Sequence, residues 1–232
     1  MAHRGLAVQY DENTLESFQE ALAAGAQIIE TDVRCTRDGI AVLFHDETLP
    51  SGVRIQESLG ATVAATILPR GGAIPTLAQA LAAFPTAKFN IDVKAPQAIV
   101  ATAQAVIAAF AHNRVLIASF SEQRRRRTVR LVPGVATSAT ASRVLVAVLA
   151  GKFGCVGVIR RVLKNVDAVQ IPEKVLGMTT TTPPMVQRFH DAGVEVHVWT
   201  INEEKDMIRL REAGVDGVVT DRCDLARRVF TL

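Results

Sequence analysis

Two acidic residues stand two positions apart in a short apolar stretch near the start of the chain. Glu30 and Asp32 lie in residues 28–33, which we predict to form a β-strand, so both side chains share one strand face about 6.6 Å apart. Asp92 and Lys94 repeat this spacing at the end of another predicted strand. Carboxylate oxygens grouped in this way suit a hard divalent cation such as Mg²⁺ or Ca²⁺.

A second interpretation of the acidic group needs no metal. Arg4 and Lys94 could each form an ion pair with one of the carboxylates and neutralise its charge. The spacing alone does not decide between a cation site and a set of ion pairs, so both interpretations remain open at this level.

Two histidines lie at the ends of predicted strands, on the same side as the acidic residues. His3 ends the first predicted strand, and His45 ends a strand that follows an Asp-Gly turn. An imidazole titrates near neutral pH, so this pair could divide the work of a general acid and a general base. Each histidine alone is more simply a hydrogen-bonded wall residue, but the joint placement beside an acidic cluster favours catalysis.

The elements that position these residues alternate between apolar strands and stretches of helical periodicity. This alternation predicts βαβ units around a parallel sheet. Eight such strands are predicted, at residues 1–5, 28–33, 88–94, 115–120, 135–138, 168–171, 194–201 and 217–220. Eight units in 232 residues predict a TIM (β/α)8 barrel, whose reactive groups sit at the carboxyl ends of the strands. An open doubly wound sheet is disfavoured, because no glycine-rich dinucleotide motif follows the first strand.

Other local patterns complete the predicted architecture. A helix is predicted over residues 14–24, and the Asp-Gly turn leads into a hairpin strand at residues 40–45. Residues 46–74 then lose all clear periodicity and are predicted to form a short excursion inserted above the barrel mouth. No internal repeat or linker divides the chain, so residues 1–232 are predicted to form a single domain.

The composition excludes several classes of protein. The chain is 49% apolar with 26 Lys and Arg against 23 Asp and Glu, which excludes intrinsic disorder. A net charge of +3 and an aromatic content of 5% argue against a nucleic-acid partner, so the arginines at 124–127 are predicted to be solvated. We find no leader, no membrane-spanning run and no disulfide framework in the sequence, and therefore expect a cytoplasmic protein.

Seven short motifs run in order from the first predicted strand to the last. They are HRG at 3–5, ENTLESF at 12–18, ETDV at 30–33, FHD at 44–46, NIDVK at 90–94, VWTIN at 198–202 and DGVVTD at 216–221. Together they resemble the glycerophosphodiester phosphodiesterase family over the whole chain. The resemblance implies a TIM barrel that uses a divalent metal to cleave a small-molecule substrate, a glycerophosphodiester, into sn-glycerol 3-phosphate and an alcohol.

The resemblance also implies roles for the reactive residues. Glu30, Asp32 and Asp92 would bind one divalent cation, either Mg²⁺ or Ca²⁺. His3 and His45 would form the acid–base pair, in an order that the sequence does not specify.

Four further residues would contact the substrate. Arg4 and Lys94 would hold its phosphate, while Trp199 and Phe120 would pack against the glycerol carbons.

The sequence departs from the family pattern in three places. Asp92 replaces the usual glutamate ligand, and Asp11 replaces the usual proline before the ENT motif. The excursion at 46–74 is also shorter than in many members, which predicts a pocket that is shallower or shaped for a different alcohol.

Rival functions remain for the same barrel. A phospholipase C- or D-like enzyme acting on intact phospholipid would need an apolar rim, for which residues 144–163 are the best candidate, although a barrel helix is the simpler interpretation. A catalytically silent barrel that binds phosphorylated metabolites would explain Asp92, but the presence of both histidines and Lys94 argues against it.

Overall fold

The computed structural model describes residues 1–230 and shows an α/β fold. The strands are β1 (Ala2–His3), β2 (Ile28–Cys35), β3 (Ala41–Leu43), β4 (Lys88–Val93), β5 (Val115–Ala118), β6 (Ala136–Thr137), β7 (Ala168–Ile171), β8 (Lys174–Val175), β9 (Met178–Thr179), β10 (Glu195–Val198) and β11 (Gly217–Val218). The helices are α1 (Leu15–Ala23), α2 (Gly60–Ala64), α3 (Leu77–Ala83), α4 (Ala98–Ala108), α5 (Glu122–Leu131), α6 (Ala141–Lys152), α7 (Val156–Val162), α8 (Pro183–Asp191), α9 (Glu204–Glu212) and α10 (Cys223–Phe230).

Parallel strands follow one another around a ring. Hydrogen-bonded ladders give the order β1-β2-β4-β5-β6 in one sheet and β11-β10-β7 in a second. The edges of the two sheets meet in parallel bridges, Ala2 with Thr220 and Ser138 with Ala168. This arrangement confirms the predicted TIM barrel, while β3 pairs antiparallel with β2 as the predicted hairpin strand.

Strand β2 is buried on both faces, and the two faces have different chemistry. Ile29 and Val33 belong to a buried apolar cluster that also contains Phe18 of α1. Glu30 and Asp32 alternate with them and therefore point to the inside of the ring. The strand thus stabilises the barrel with one face and carries reactive groups on the other.

Helix α1 fixes the loop that leaves β1. Thr14 and Ser17 form a reciprocal capping box at the start of the helix, with each hydroxyl 3.2 Å from the backbone nitrogen of the other residue. The hydroxyl of Ser17 also lies 3.1 Å from the carbonyl oxygen of Arg4, to which it can donate. The helix predicted at 14–24 is therefore present, and its first residue is the cap that anchors the neighbourhood of Arg4.

Several strands, among them β3, β5 and β10, end earlier than the sequence predicts. The ladders of β3, β5 and β10 stop at least two residues before the predicted ends of 40–45, 115–120 and 194–201. His45, Phe120 and Trp199 consequently lie in loops at the barrel mouth and not in strands. Apolar sequence continues past the point where the backbone leaves the ladder, which explains the difference.

The apolar segment at 144–163 forms parts of two barrel helices, α6 and α7. Val144, Ala147 and Val148 are buried in the cluster that also contains Ile171 of β7. The interpretation as barrel helix is supported, with a break between Lys152 and Val156 that the sequence does not reveal.

Across residues 1–230, no helix combines the length and the apolar character needed to cross a membrane.

The excursion at 46–74 has local structure of its own. It contains a 3₁₀ turn at Ile55–Glu57, helix α2, and two short antiparallel bridges. Its apolar side chains form a small buried cluster with β3, made of Val42, Leu49, Ile55, Val63, Leu68 and Ile74. Its helices are at most five residues long, which is why the sequence shows no periodicity there.

Asp11 ties the excursion to the loop after β1. Its carboxylate accepts hydrogen bonds from the backbone N–H groups of Arg70 at 3.0 Å and Gly72 at 3.1 Å. The Arg70 guanidinium in turn donates to the carbonyl oxygens of Ala7 and Tyr10, each at 2.7 Å. The departure from the family pattern at Asp11 therefore has a structural role, because a carboxylate here fixes one edge of the mouth.

The substitution Gly5→Ala tests how tightly the loop after β1 packs against α1. The backbone of Gly5 is left-handed (φ 87°), and an added Cβ would lie 2.7 Å from the backbone carbon of Ser17. We expect Gly5→Ala to lower the free energy of unfolding by about 2–4 kcal/mol, through left-handed strain plus overpacking. Urea denaturation measures the loss.

Gly39→Ala is the matched control for this substitution. Gly39 has a similar φ of 83°, but an added Cβ would meet no atom within 4 Å. Strain alone should cost about 1 kcal/mol there. Equal losses in the two variants would show that the β1 loop is not tightly packed against α1.

Candidate active site

Three carboxylates meet inside the barrel because of the register between β2 and β4. Asp32 pairs directly with Asp92, and Glu30 lies two residues below Asp32 on the same face. Their exposed fractions are 7% for Glu30, 1% for Asp32 and 7% for Asp92, so all three are buried. Buried carboxylates at this separation repel one another unless positive charge is close by.

Two cations provide that charge in the structure. The Nζ of Lys94 lies 2.8 Å from Oδ1 of Asp32 and 2.7 Å from Oδ2 of Asp92. The Nε of Arg4 lies 3.0 Å from Oδ2 of Asp32, while its Nη1 donates to Glu12 at 2.9 Å. The ion pairs that the sequence left open as an alternative to metal are therefore formed.

These contacts separate the acidities of the neighbouring carboxyl groups. Burial would raise the pKa of Asp32, but the charges of Lys94 and Arg4 outweigh it, so that this pKa lies below its usual value. Burial, followed by repulsion from Asp32 and Asp92, raises the pKa of Glu30 well above its usual value. Glu30 is therefore the carboxylate with the least compensation.

Each predicted catalytic histidine is oriented by a carboxylate. The Nδ1 of His3 lies 2.7 Å from Oδ1 of Asp221, and the Nδ1 of His45 lies 2.8 Å from Oδ1 of Asp46. The Nε2 of neither imidazole makes a hydrogen bond with the residues that the structure describes. A carboxylate on Nδ1 fixes the tautomer and leaves Nε2 to exchange a proton with a ligand.

Two aromatic rings form the opposite wall. Phe120 and Trp199 pack edge to face with ring centroids 6.2 Å apart. The Nζ of Lys94 lies 5.8 Å from the centre of the Phe120 ring, close enough for a cation–π contact. Lys94 therefore contacts both the aromatic wall and the carboxylates of Asp32 and Asp92.

One cavity of about 480 Å³ joins all of these groups at the carboxyl ends of the strands. The nine residues that the sequence predicts for the site all line it: His3, Arg4, Glu30, Asp32, His45, Asp92, Lys94, Phe120 and Trp199. Their common placement follows from the barrel, but it does not assign a role to any of them.

Sequence reasoning assigns no role to several polar residues of this region. Asn13 is buried with a left-handed backbone (φ 58°), and its Nδ2 donates to Asp32 at 3.1 Å. Asp221 orients His3 and is itself bound by Nδ2 of Asn202 at 2.7 Å. The sequence signal for Asn13 and Asp221 is their position: each belongs to one of the seven motifs and follows a predicted strand.

The four arginines at 124–127 are not uniformly solvated. Arg125 is 4% exposed, and its Nη2 donates to Glu122 at 2.8 Å. The prediction of a solvated helix face was wrong for this residue, because an acidic partner one turn earlier on α5 allows burial of the charge.

A family comparison adds to this geometry. The model of the glycerophosphoryl diester phosphodiesterase family matches residues 3–225. The chain belongs to this family. A relative from Mycobacterium tuberculosis, named as a probable glycerophosphodiester phosphodiesterase 2, is 43% identical over 236 residues and aligns with 99% of this chain and 89% of its own.

Solved structures share the barrel of the family. A glycerophosphodiester phosphodiesterase from Agrobacterium tumefaciens matches with a TM-score of 0.81 and 22% identity, covering 98% of this chain and 97% of its own. A phosphodiesterase from Oleispira antarctica matches with a TM-score of 0.81 and 22% identity, covering 100% and 96%. The predicted family and the predicted fold are both confirmed.

The donor set can be compared with what a divalent cation requires. Within residues 1–230, no three side chains of ligating type are grouped so as to hold an ion as they stand, because Lys94 occupies the space between Asp32 and Asp92. The Oδ1 atom of Asp92 is nevertheless buried without a hydrogen-bond partner. Buried carboxylate oxygens of this kind fit Mg²⁺ or Ca²⁺ in donor chemistry.

Glu30→Gln tests the uncompensated charge at this site. The folded protein raises the pKa of Glu30 above 4.5, so the carboxylate lowers stability progressively as the pH rises from about 4.5 through the raised pKa. In a chelating buffer at pH 7, we expect the amide to increase the free energy of unfolding by about 1 kcal/mol. At pH 4, where both states bind the proton, the gain should disappear.

Urea denaturation at the two pH values makes this measurement. Glu20→Gln, an exposed glutamate on α1, is the matched control and should change stability by less than about 0.5 kcal/mol at both pH values. Loss of stability in Glu30→Gln at pH 7 would show that the carboxylate is well compensated without a cation.

Proposed function

We propose that this protein hydrolyses glycerophosphodiesters to sn-glycerol 3-phosphate and an alcohol, with His3 and His45 as the acid–base pair. One observation carries the proposal. The imidazoles of His3 and His45 each have a carboxylate on Nδ1 and an Nε2 that makes no hydrogen bond with residues 1–230, and both line one cavity with Lys94 and Arg4. Membership of the family supports it, as does the related phosphodiesterase from Oleispira antarctica, which was solved in complex with the product sn-glycerol-3-phosphate.

Lys94 and Arg4 have donors left for a phosphate group. Lys94 has three N–H donors and directs two of them to Asp32 and Asp92, which leaves one for a phosphate oxygen. The Nη2 of Arg4 has no partner among residues 1–230, because its contacts to Asp32 and Glu12 use Nε and Nη1. Both donors adjoin the carboxylates, so a phosphate bound there would lie at the acidic cluster.

Glu30, Asp32 and Asp92 are the residues that would hold a divalent cation. When bound, the cation would supply positive charge to the phosphate oxygens, whose negative charge increases during displacement at phosphorus. Three carboxylates and a phosphodiester carry four negative charges. Arg4, Lys94 and a divalent cation carry four positive ones, so the complex would be neutral.

The two imidazoles would move the protons of the reaction. One Nε2 takes the proton of the attacking oxygen, which belongs to water or to the neighbouring hydroxyl of the glycerol. The other Nε2 donates a proton to the departing alcohol oxygen. Attack by water gives glycerol 3-phosphate directly, whereas attack by the hydroxyl gives a cyclic phosphate that a water molecule then opens, with the two imidazoles exchanging roles. Asp221 and Asp46 stabilise the imidazolium that forms on each ring, because each carboxylate lies on Nδ1.

The glycerol carbons would lie against Phe120 and Trp199. These two rings form the apolar wall beside Lys94, whereas the carboxylates and cations form the polar wall. A glycerol phosphate needs both kinds of surface, since its carbons and its phosphate have opposite preferences.

A substrate panel tests the function. Glycerophosphocholine, glycerophosphoethanolamine and glycerophosphoinositol should be assayed for release of glycerol 3-phosphate, and vesicles of phosphatidylcholine for release of choline or phosphocholine, each with EDTA, Mg²⁺ or Ca²⁺. We expect release from the soluble diesters, little from vesicles, and none after exhaustive chelation. Asp92→Asn should abolish both turnover and the metal-dependent rise in Tm, because it removes an unpartnered carboxylate oxygen.

The other outcomes of the panel identify the rival functions. Faster hydrolysis of vesicle phospholipid would move the protein to the phospholipase class. Binding of glycerol 3-phosphate without turnover of any diester would indicate a silent binding barrel. Full activity after chelation would overturn the metal dependence.

The histidine pair has its own prediction. His3→Ala and His45→Ala should each lower kcat by about 10²–10⁴-fold, and the wild-type pH–rate profile should be bell-shaped. The losses should not add in the double variant, because both groups serve one proton-transfer sequence. Steady-state kinetics per folded molecule measures this.

His112→Ala is the control for the histidine variants. His112 is exposed and does not line the cavity, so its loss should leave kcat unchanged. If His45→Ala keeps more than about a tenth of normal turnover, His45 is not a general acid or base.

A further inference from the structure

A second cavity, of about 300 Å³, adjoins the first at Lys94. Its polar lining residues are Arg34, Glu47, Gln56 and Gln97, together with Lys94. The side chains of Gln56 and Gln97 make no hydrogen bond with residues 1–230, and the carboxylate of Glu47 is paired with Arg54. The cavity therefore offers free polar groups, and its one acidic residue already has a cation.

Arg34 lies two residues after Asp32 on the same face of β2, nearer the mouth of the barrel. The alternation that points Glu30 and Asp32 into the barrel points Arg34 to the mouth. Lys94 likewise stands two residues after Asp92, just after the end of β4. Two cations, Arg34 and Lys94, therefore lie above the carboxylates, and both line the second cavity. Lys94 is engaged by Asp32 and Asp92, whereas Arg34 forms no ion pair with any residue that the structure describes.

The guanidinium of Arg34 is held in place without using its outer donors. Its Nε donates to the carbonyl oxygen of His45 at 2.8 Å, and its two Nη groups make no hydrogen bond with residues 1–230. Arg124 adds positive charge nearby, and its own Nε donates to the hydroxyl of Ser119 at 3.0 Å. Arg124 also forms no ion pair within residues 1–230.

The charges that face Arg34 come from several elements. Burial lowers the pKa of Arg34, and the positive charge of Arg124 lowers it further. The carboxylates of Glu47, Asp32 and Asp46 raise the pKa of Arg34. The group stays charged at neutral pH, because the ordinary pKa of an arginine lies far above neutrality. A planar fork of fixed orientation with free Nη donors is the arrangement that binds a carboxylate or a phosphate through two hydrogen bonds.

The two cavities meet at Lys94, which lines both of them. Arg34 lies near the end of β2, Lys94 follows β4 and Phe120 follows β5, and these strands are neighbours in that order. A phosphodiester bound at Lys94 has two arms. If the glycerol arm lies against Phe120 on the β5 side, the second cavity on the β2 side of Lys94 offers space for the alcohol arm.

We propose that Arg34 and the second cavity form a subsite for an anionic group on the alcohol arm of the substrate. This inference rests on the phosphodiesterase function proposed above. It makes Arg34 a specificity-determining residue that favours alcohols carrying a carboxylate or a second phosphate over alcohols that carry only an ammonium group.

Two substrates that differ by one carboxylate test the subsite. Glycerophosphoserine and glycerophosphoethanolamine share the glycerol, the phosphodiester and the ammonium group. We expect kcat/KM to be about tenfold higher for glycerophosphoserine, mainly through KM, because a charge-assisted hydrogen bond is gained on binding. The preference should fall as the ionic strength rises.

Arg34→Gln should abolish this preference, and Arg37→Gln should preserve it. Arg37 is exposed in the turn after β2 and lines neither cavity. Arg37→Gln therefore removes one positive charge outside the subsite. If Arg34 acts only by holding the carbonyl of His45, both substrates will slow equally in Arg34→Gln and their ratio will not change. That result, or equal kcat/KM values in the unmodified protein, would overturn the proposal.

A binding measurement separates failure of the subsite from failure of the proposed function. If neither diester is hydrolysed, the phosphodiesterase function fails. Calorimetric titration with O-phosphoserine and phosphoethanolamine then still decides the subsite, since these ligands differ by the same carboxylate. Tighter binding of O-phosphoserine that is lost in Arg34→Gln supports the subsite, and equal binding overturns it.

Discussion

The pairing of Asp32 with Asp92 across β2 and β4 is the constraint on which the rest of the site depends. Parallel register places these carboxylates together with Glu30 inside a barrel where water has little access. Charges buried in this way destabilise the fold unless cations accompany them. Lys94 and Arg4 meet that requirement, and their positions are in turn fixed by the carboxylates that they neutralise.

The same constraint arranges charge in layers along the barrel axis. A negative layer of carboxylates lies within the barrel, and a positive layer that contains Lys94 and Arg34 lies above it at the mouth. The proposed phosphate site would lie beside this acidic cluster, where the positive layer offsets the repulsion between the two anions.

Much of this arrangement was predictable from the sequence, because it depends on spacing of two residues along strands. The alternation in β2 and β4 identified Glu30, Asp32, Asp92 and Lys94, and the ends of strands identified the histidines. Contacts between distant segments were not predictable in the same way. The hydrogen bond between His3 Nδ1 and the carboxylate of Asp221 depends on ring closure, which no local pattern encodes.

Short elements were also beyond what periodicity can reveal. The excursion at 46–74 is built from single turns and isolated bridges, and its small cluster draws on residues up to 32 positions apart, from Val42 to Ile74. The hydrogen bonds of Asp11 to Arg70 and Gly72 likewise join segments that share no pattern. Such tertiary contacts determine the shape of the mouth, whereas the sequence pattern determines the chemistry beneath it.

Closure of the ring between β1 and the residues after β11 has a consequence for the synthesis of the protein. His3 and Asp221 are 218 positions apart, although their side chains are in direct contact. On the ribosome, the segments that carry the carboxylates and Lys94 are synthesised long before Asp221, because translation proceeds from the N-terminus. His3 therefore lacks the carboxylate contact at its Nδ1 in every partial chain that ends before Asp221, so an unfinished copy cannot hold this imidazole as the complete protein does.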